Sequence, residues 1–233
     1  MKNVLIIFAK RPTPGRVKTR LAATLSAEDA AELYRCMLFD TLAKAKELAG
    51  PDKLVFYEPA AGAAAYFKGI AAGMETCPQE GNDLGKRMEN AFKRTLEMGY
   101  EAAVIIGTDS PDLPSSFIEE AFAMLESRDI DAVFGPSEDG GYYLIAMKRL
   151  QGELFKGIPW SSGAVLEKSL EKAAEAGIRV SLLPRWYDVD TFEDLQRPEL
   201  LEEANGAPLT REFLTSRLGA ALISCRNSRS SKR

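Results

Sequence analysis

The sequence predicts an α/β protein, a three-layer sandwich of helices packed on a mainly parallel mixed sheet. Two observations carry that prediction. Short apolar runs alternate with longer segments of helical periodicity, as in repeated strand–helix units. The runs are apolar throughout rather than at every second residue, as in strands covered on both faces. A chain of 233 residues suits one domain of this kind, because at that length roughly 70% or more of the extended surface is buried without a disulfide framework. The expected unit covers residues 1–220, and the polar, basic residues 221–233 read as a frayed tail.

The elements follow in order. The first strand is residues 4–9 (VLIIFA), and the first helix spans residues 27–48. A second strand, residues 53–57 (KLVFY), precedes a helix over 84–98. The run AAVIIG at 102–107 is a third strand, and its helix begins after Pro114-Ser115-Ser116 and runs to residue 127. DAVF at 131–134 and YYLIAM at 142–147 are further strands, and a last helix over 163–176 is entered through Ser161-Ser162.

Composition narrows the chemistry. With 45% hydrophobic and 27% charged residues and a net charge of -4, the chain has an ordinary globular make-up and lacks the basic balance of a general nucleic-acid binder. It contains no histidine, which removes a Ser-His-Asp triad and a histidine general base. Cys36, Cys77 and Cys225 are dispersed and form no CxxC pair, so a zinc site is excluded as well. Residues 1–9 do not read as a secretory leader, and no run approaches the ~18 apolar residues of a membrane span. The expected location is cytoplasmic.

Ligands of open parallel sheets bind beyond the carboxyl ends of the strands. That rule selects AKRPTPGRVKTR, GTDSPDLP and GPSEDGG. The first places Lys10, Arg11, Arg16, Lys18 and Arg20 in one loop with no carboxylate. It is neither a P-loop nor GxGxxG. Lysine and arginine nevertheless neutralise phosphate, and Gly15 lets backbone approach a ligand. Lys10, Lys18 and Arg20 are the phosphate candidates, while Arg11 and Arg16 fit solvent equally well. A solvated basic loop is the alternative.

Asp109 stands at a strand's carboxyl edge, where carboxylates hold magnesium or manganese. Asp112 is either a second ligand or a helix cap. Asp188 and Asp190 alternate in WYDVDTFEDL and share a face if extended, although Asp190 or Thr191 also suits a cap. Asp139, Gly140 and Gly141 fit a ligand loop or a hairpin turn equally. Asp83 and Arg87 lie near a helix start, and Trp160 is either exposed beside a site or part of the core.

Taken in order, FAKRPTPGRVKTRL, QEGNDLGKRM, GTDSPDLP, EDGGYYLIA, IPWSSGAVL and WYDVDTFEDL resemble a bacterial group of GT-A-fold transferases. This is the glycosyltransferase-like, nucleotide-diphospho-sugar transferase group associated with radical-SAM and selenodomain proteins, and it is similar to 2-phospholactate guanylyltransferase. The resemblance covers residues 4–195 and implies a Rossmann-like GT-A fold and a Mg2+- or Mn2+-dependent reaction. It implies that Lys10, Lys18 and Arg20 hold the nucleotide phosphates, and Gly15, Asp83 and Arg87 are further nucleotide-binding candidates. Lys18, Asp109 and Asp190 would be catalytic, with Asp109, Asp190 and neighbouring Asp188 toward the metal. Asp139, Gly140, Gly141 and Trp160 would face a small-molecule acceptor, although DGGYY departs from the guanylyltransferase DGGTN. The expected reaction is nucleotidyl transfer from a nucleoside triphosphate to a phosphorylated small molecule. Glycosyl transfer from a nucleotide-sugar, with Glu138 or Asp139 as base, is the alternative, and a nucleotide-binding regulator without catalysis is a third.

Overall fold

The computed structural model describes residues 2–21 and 24–230, with residues 220–230 described as backbone only. Seven strands form one sheet: β1 (Asn3–Ala9), β2 (Asp52–Tyr57), β3 (Glu75–Pro78), β4 (Ala102–Ile106), β5 (Ala132–Pro136), β6 (Tyr142–Met147) and β7 (Val180–Leu182). Their order is β3-β2-β1-β4-β6-β5-β7. All neighbours are parallel except β6, which runs antiparallel to both β4 and β5. Helices α1 (Ala27–Glu47), α2 (Ala63–Ile70), α3 (Leu84–Glu97), α4 (Ser115–Glu126) and α5 (Val165–Glu175) connect the strands, and α6 (Pro198–Leu201) and α7 (Pro208–Ser230) follow the sheet.

The continuous apolar runs are explained by burial on both faces. Leu5, Ile7, Val55 and Val104 point to one layer with Leu38, Leu42, Phe67 and Ile118. Their neighbours Val4, Ile6, Leu54 and Ile105 point to the other, with Met88, Phe92 and Phe155. Successive strand residues alternate faces, so a strand covered twice must be apolar at every position. A third cluster joins Leu33 and Met37 of α1 to Tyr187, Val189, Phe213 and Leu214. It packs the return segment after β7, and α7, against the first helix.

Several local expectations change. β3, α2 and β7 are additional elements, and the DAVF run extends to Pro136 as β5. The segment TFEDLQRPELL, which a cap at Asp190 or Thr191 would open as a helix, is not one helix. It breaks into a 3-10 turn at Asp194–Gln196 and α6, which begins with Pro198. α4 is entered at Pro114 and α5 at Ala164, neither with a side-chain cap bond. α7 continues to Ser230, so the segment read as a frayed tail is helical that far; its residues 231–233 lie outside the described residues. No helix among the described residues is long and apolar enough to cross a membrane.

One buried carboxylate fastens the last helix to the first. Asp40 of α1 is buried and accepts hydrogen bonds from the backbone N–H of Leu209 and Thr210, at 3.1 and 2.8 Å, and from Thr210 Oγ1 at 2.7 Å. Buried donors that lose their acceptor cost about 1–3 kcal/mol. Asp40→Ala is expected to destabilise the fold by about that amount in urea unfolding, and an unchanged midpoint would show that the α1–α7 junction is held elsewhere.

Candidate active site at the sheet switch point

Strand order reverses about β1, whose neighbours β2 and β4 lie on opposite sides. The loops leaving parallel strands therefore splay apart there and open a crevice. A cavity of about 590 Å³ occupies this position, lined by Lys10, Arg16, Lys18, Arg20, Asp109 and Asp190 at one end.

The cationic loop is held by contacts within the chain. Val17 is buried against Ala31 and Tyr34 of α1. The Lys10 backbone N–H donates to the Tyr34 hydroxyl at 2.9 Å, and that hydroxyl bonds to Thr108 Oγ1 at 2.8 Å. The loop after β1 is thereby tied to the loop after β4. Gly15 turns at φ +73° in open space; it lets the loop reverse and does not line the cavity. Lys18 has φ +47°, a left-handed conformation that costs a lysine of order 1–3 kcal/mol and that clusters at functional sites.

That conformation directs the Lys18 side chain inward. Its Nζ lies 2.5 Å from Asp109 Oδ1 and 2.8 Å from Asp190 Oδ1, and the side chain is 2% exposed. Burial opposes the ammonium charge, but the two carboxylates outweigh it and hold the amine well above the ordinary lysine range. Burial likewise pushes the Asp109 carboxyl up, and Lys18 reverses this, leaving it below its ordinary value. Asp109 remains 49% exposed, so it faces both the lysine and the cavity. Arg20 stands at the rim, 3.9 Å from Asp190 Oδ2.

Asp188 and Asp190 are two residues apart but have different partners. Asp188 accepts from Ser110 Oγ at 2.8 Å and from the Ser137 hydroxyl. Burial pushes its carboxyl up to about 6, against the pull of those hydroxyls. It joins the loops after β4 and β5, while Asp190 alone of the two reaches Lys18. The Val189 N–H donates to Asp109 O at 2.8 Å, and Lys44 Nζ donates to Pro111 O and Leu113 O at 3.0 and 2.7 Å. Asp112 is neither beside Asp109 and Asp190 nor a cap. Its buried carboxylate accepts from Tyr187 and, at 3.4 Å, from Trp186 Nε1.

The remaining expected site residues divide. Lys10 and Arg87 line the cavity, but Asp83 caps α3, accepting from the Lys86 N–H at 2.7 Å. Asp139, Gly140 and Gly141 form the β5–β6 turn, where Asp139 Oδ1 accepts from the Gly141 N–H at 2.9 Å. Gly140 has φ +90°, and a Cβ there would collide with the Gly163 carbonyl. Trp160 packs over Gly85 and the α3 layer. None of these five residues lines the cavity. Tyr34, Thr108, Glu58 and Gln79 do, and sequence reasoning passed over them. Gln79 and Glu58 carried a usable signal, because each sits at the end of an apolar or extended run.

Two carboxylate oxygens converging on one cation are the donor chemistry that Mg2+ or Mn2+ takes. Asp109 and Asp190 fit such an ion on that ground, with Lys18 now between them. Among the described residues no three cysteine or carboxylate side chains gather at one point, so phosphate oxygens and water would complete its shell.

The family model described as "Uncharacterized protein conserved in bacteria" (DUF2064) matches residues 41–162. No curated protein matches the chain in sequence. A Desulfovibrio desulfuricans protein, provisionally described as a nucleotide-diphospho-sugar transferase, superposes with a TM-score of 0.85 at 34% identity, over 96% of this chain and 98% of its own. CMP:2-keto-3-deoxy-manno-octonic acid synthetase, solved with CTP, gives 0.56 at 14% identity over 86% of this chain and 98% of its own. A Mycobacterium tuberculosis protein in complex with manganese gives 0.51 at 16% over 84% and 97%. The last two share the fold, the Rossmann-like nucleotide-diphospho-sugar transferase architecture.

Lys18→Met removes the cation that opposes burial of Asp109. The Asp109 carboxyl, low in the wild type, is then expected to titrate above its ordinary value, read by 13C NMR. The wild-type pair adds stability that is present above the ordinary carboxylate pKa and lost as pH falls through the lowered value. An Asp109 midpoint that does not move in the variant would mean that the pair does not exist in solution.

Proposed function

The chain belongs to the bacterial DUF2064 family, and from that premise we propose that it is a metal-dependent nucleotidyltransferase. The reading has a nucleoside triphosphate transfer its nucleotidyl group to the phosphate of a small molecule, with release of pyrophosphate. The observation that carries it is the shared position of Lys18 between Asp109 and Asp190, at the switch point and beside the exposed cations Lys10, Arg16 and Arg20.

In this reading an acceptor phosphate oxygen attacks the α-phosphorus in line. A new P–O bond forms, the bond from the α-phosphorus to the bridging oxygen breaks, and the electron pair leaves on pyrophosphate. The acceptor phosphate is already ionised, so no general base is needed, in keeping with a chain that has no histidine. Lys10, Arg16 and Arg20 hold the β- and γ-phosphates. Lys18 turns from the carboxylates to the α-phosphate, where its ammonium offsets the charge that develops in the transition state. Asp109 and Asp190 would hold Mg2+ or Mn2+, which supplies Lewis-acid polarisation of the phosphates when bound.

Glycosyl transfer from a nucleotide-sugar is the second reading, favoured by the description of the Desulfovibrio relative. Inverting transfer to a hydroxyl needs a carboxylate base. Glu138 is engaged by Arg197 Nη2 at 2.5 Å and Asp139 by the Gly141 N–H, and neither lines the cavity. That distribution supports the nucleotidyl reading.

Calorimetry with each of the four nucleoside triphosphates and with UDP- and GDP-sugars, in Mg2+ or EDTA, tests the assignment. One triphosphate should bind in Mg2+ and weaken at least tenfold in EDTA and in Asp109→Asn, an estimate from loss of a charge-assisted contact. Pyrophosphate release with a panel of phosphorylated acceptors should follow. Preference for a nucleotide-sugar, with transfer of its sugar, would replace this reading with the second.

Because Lys18 occupies the space between the carboxylates, Mn2+ read by EPR should bind weakly alone and tightly with the triphosphate. Lys18→Met should strengthen Mn2+ binding without nucleotide while lowering turnover by ~100-fold or more, as for loss of a transition-state charge contact. Equal Mn2+ affinity in wild type and variant would rule out competition between the lysine and the metal.

A further inference from the structure

The cavity has a second end of different chemistry. Glu58 directly follows β2, and Gln79 follows β3. Along the order β3-β2-β1-β4 they lie two and three strands from Asp109, roughly 10–14 Å at the usual strand spacing. Arg87 reaches the same end from α3, with Nη1 donating to Glu58 Oε1 at 3.0 Å and Nε to Gly81 O at 3.3 Å. Around them stand Phe8, Met88, Tyr142 and Leu84, the last 46% exposed. A flat heteroaromatic ring bridging from the phosphate end would meet apolar walls and this polar trio.

The hydrogen-bonding sense of the trio is determined by its internal bonds. Gln79 is 7% exposed, and its Nε2 donates to Phe56 O at 2.8 Å. A carbonyl accepts only from the amide nitrogen, so the amide cannot be reversed and Oε1 is its acceptor end. The Arg87 bond engages Glu58 Oε1 and leaves Oε2 as a second acceptor. Arg87 contributes the donors. Two acceptors beside one donor group complement an edge carrying two adjacent N–H groups and a carbonyl, which is the N2, N1, O6 edge of guanine. Cytosine presents two acceptors and one donor, uracil a single N–H between two carbonyls, and adenine one amino group beside an acceptor. Each leaves at least one polar group of the trio unmatched; Gln79 is buried, and a base stacked over the part-exposed Glu58–Arg87 pair would shut water from it, so that the mismatch carries a cost.

We propose that Gln79, Glu58 and Arg87 read the base of the bound nucleotide and select guanine. This rests on the nucleotidyl reading above. The full-length protein is titrated calorimetrically in Mg2+ with GTP, ITP, CTP, UTP, ATP and inorganic tripolyphosphate, for wild type, Glu58→Gln and Gln79→Leu. GTP should bind at least about tenfold more tightly than the other bases, and ITP, which lacks the 2-amino group, should lose about tenfold against GTP. Each variant should narrow the GTP preference while tripolyphosphate binding persists, which also reports that the phosphate end is folded. Equal affinity for all bases, preference for a base other than guanine, or a GTP preference untouched in both variants would overturn the base assignment and leave nucleotide binding standing. Failure of every triphosphate and of tripolyphosphate would instead overturn the nucleotidyl reading, and this inference with it.

Discussion

The site depends on one ammonium group shared by two carboxylates. Lys18 is buried, and a buried charge is tolerated only when paired and hydrogen-bonded. Asp109 and Asp190 provide that pairing from loops that the sheet brings together. In return the lysine keeps two carboxylates close without mutual repulsion. The neighbouring contacts hold this geometry: Tyr34 and Thr108 join the loops after β1 and β4, the Val189 N–H joins Asp109 to the return segment, and Asp188 joins Ser110 to Ser137. The left-handed backbone of Lys18 is the local strain that this network sustains.

An acidic protein can therefore present a crevice whose lining is net cationic, with five lysine and arginine side chains against three carboxylates. The internal cation is more than balanced by its two carboxylates, while Lys10, Arg16 and Arg20 stand exposed at the rim. Their attraction for a polyanion is local, because charges farther away than a Debye length of ~8–10 Å are screened at ordinary salt. The overall charge of -4 then bears on solubility more than on the ligand.

Much of this was legible in the sequence because burial on two faces writes itself as unbroken apolar runs. β1, β2, β4 and β6 were visible for that reason, and Asp109 was visible because it ends such a run. β3 and β7 were not. ETCP and VSL are short edge strands with half-covered residues, so they lack the apolar signature. Among the site residues, the cationic loop was legible as charge density, but the inward turn of Lys18 is a backbone property. Period-two alternation put Asp188 and Asp190 on one side, and only tertiary contacts with Ser110, Ser137 and Lys18 tell them apart. Asp83, Gly140 and Trp160 carried residue types common to ligand loops, yet helix capping, a backbone crossing with Gly163 and packing on Gly85 account for them.

The pairings of Lys18 span 91 residues to Asp109 and 172 to Asp190. Between those partners the chain must lay down β5, insert β6 beside β4 and complete β7. Contacts of such long separation form late, since the closure entropy of the intervening chain must first be offset by nearer contacts. During synthesis, an emerging chain carries the lysine and its first carboxylate well before the second exists. The crevice thus acquires its charge balance only after the sheet is laid down, and a chain interrupted before residue 190 has both layers on the sheet but lacks the α7 part of the third cluster and has an unfinished centre.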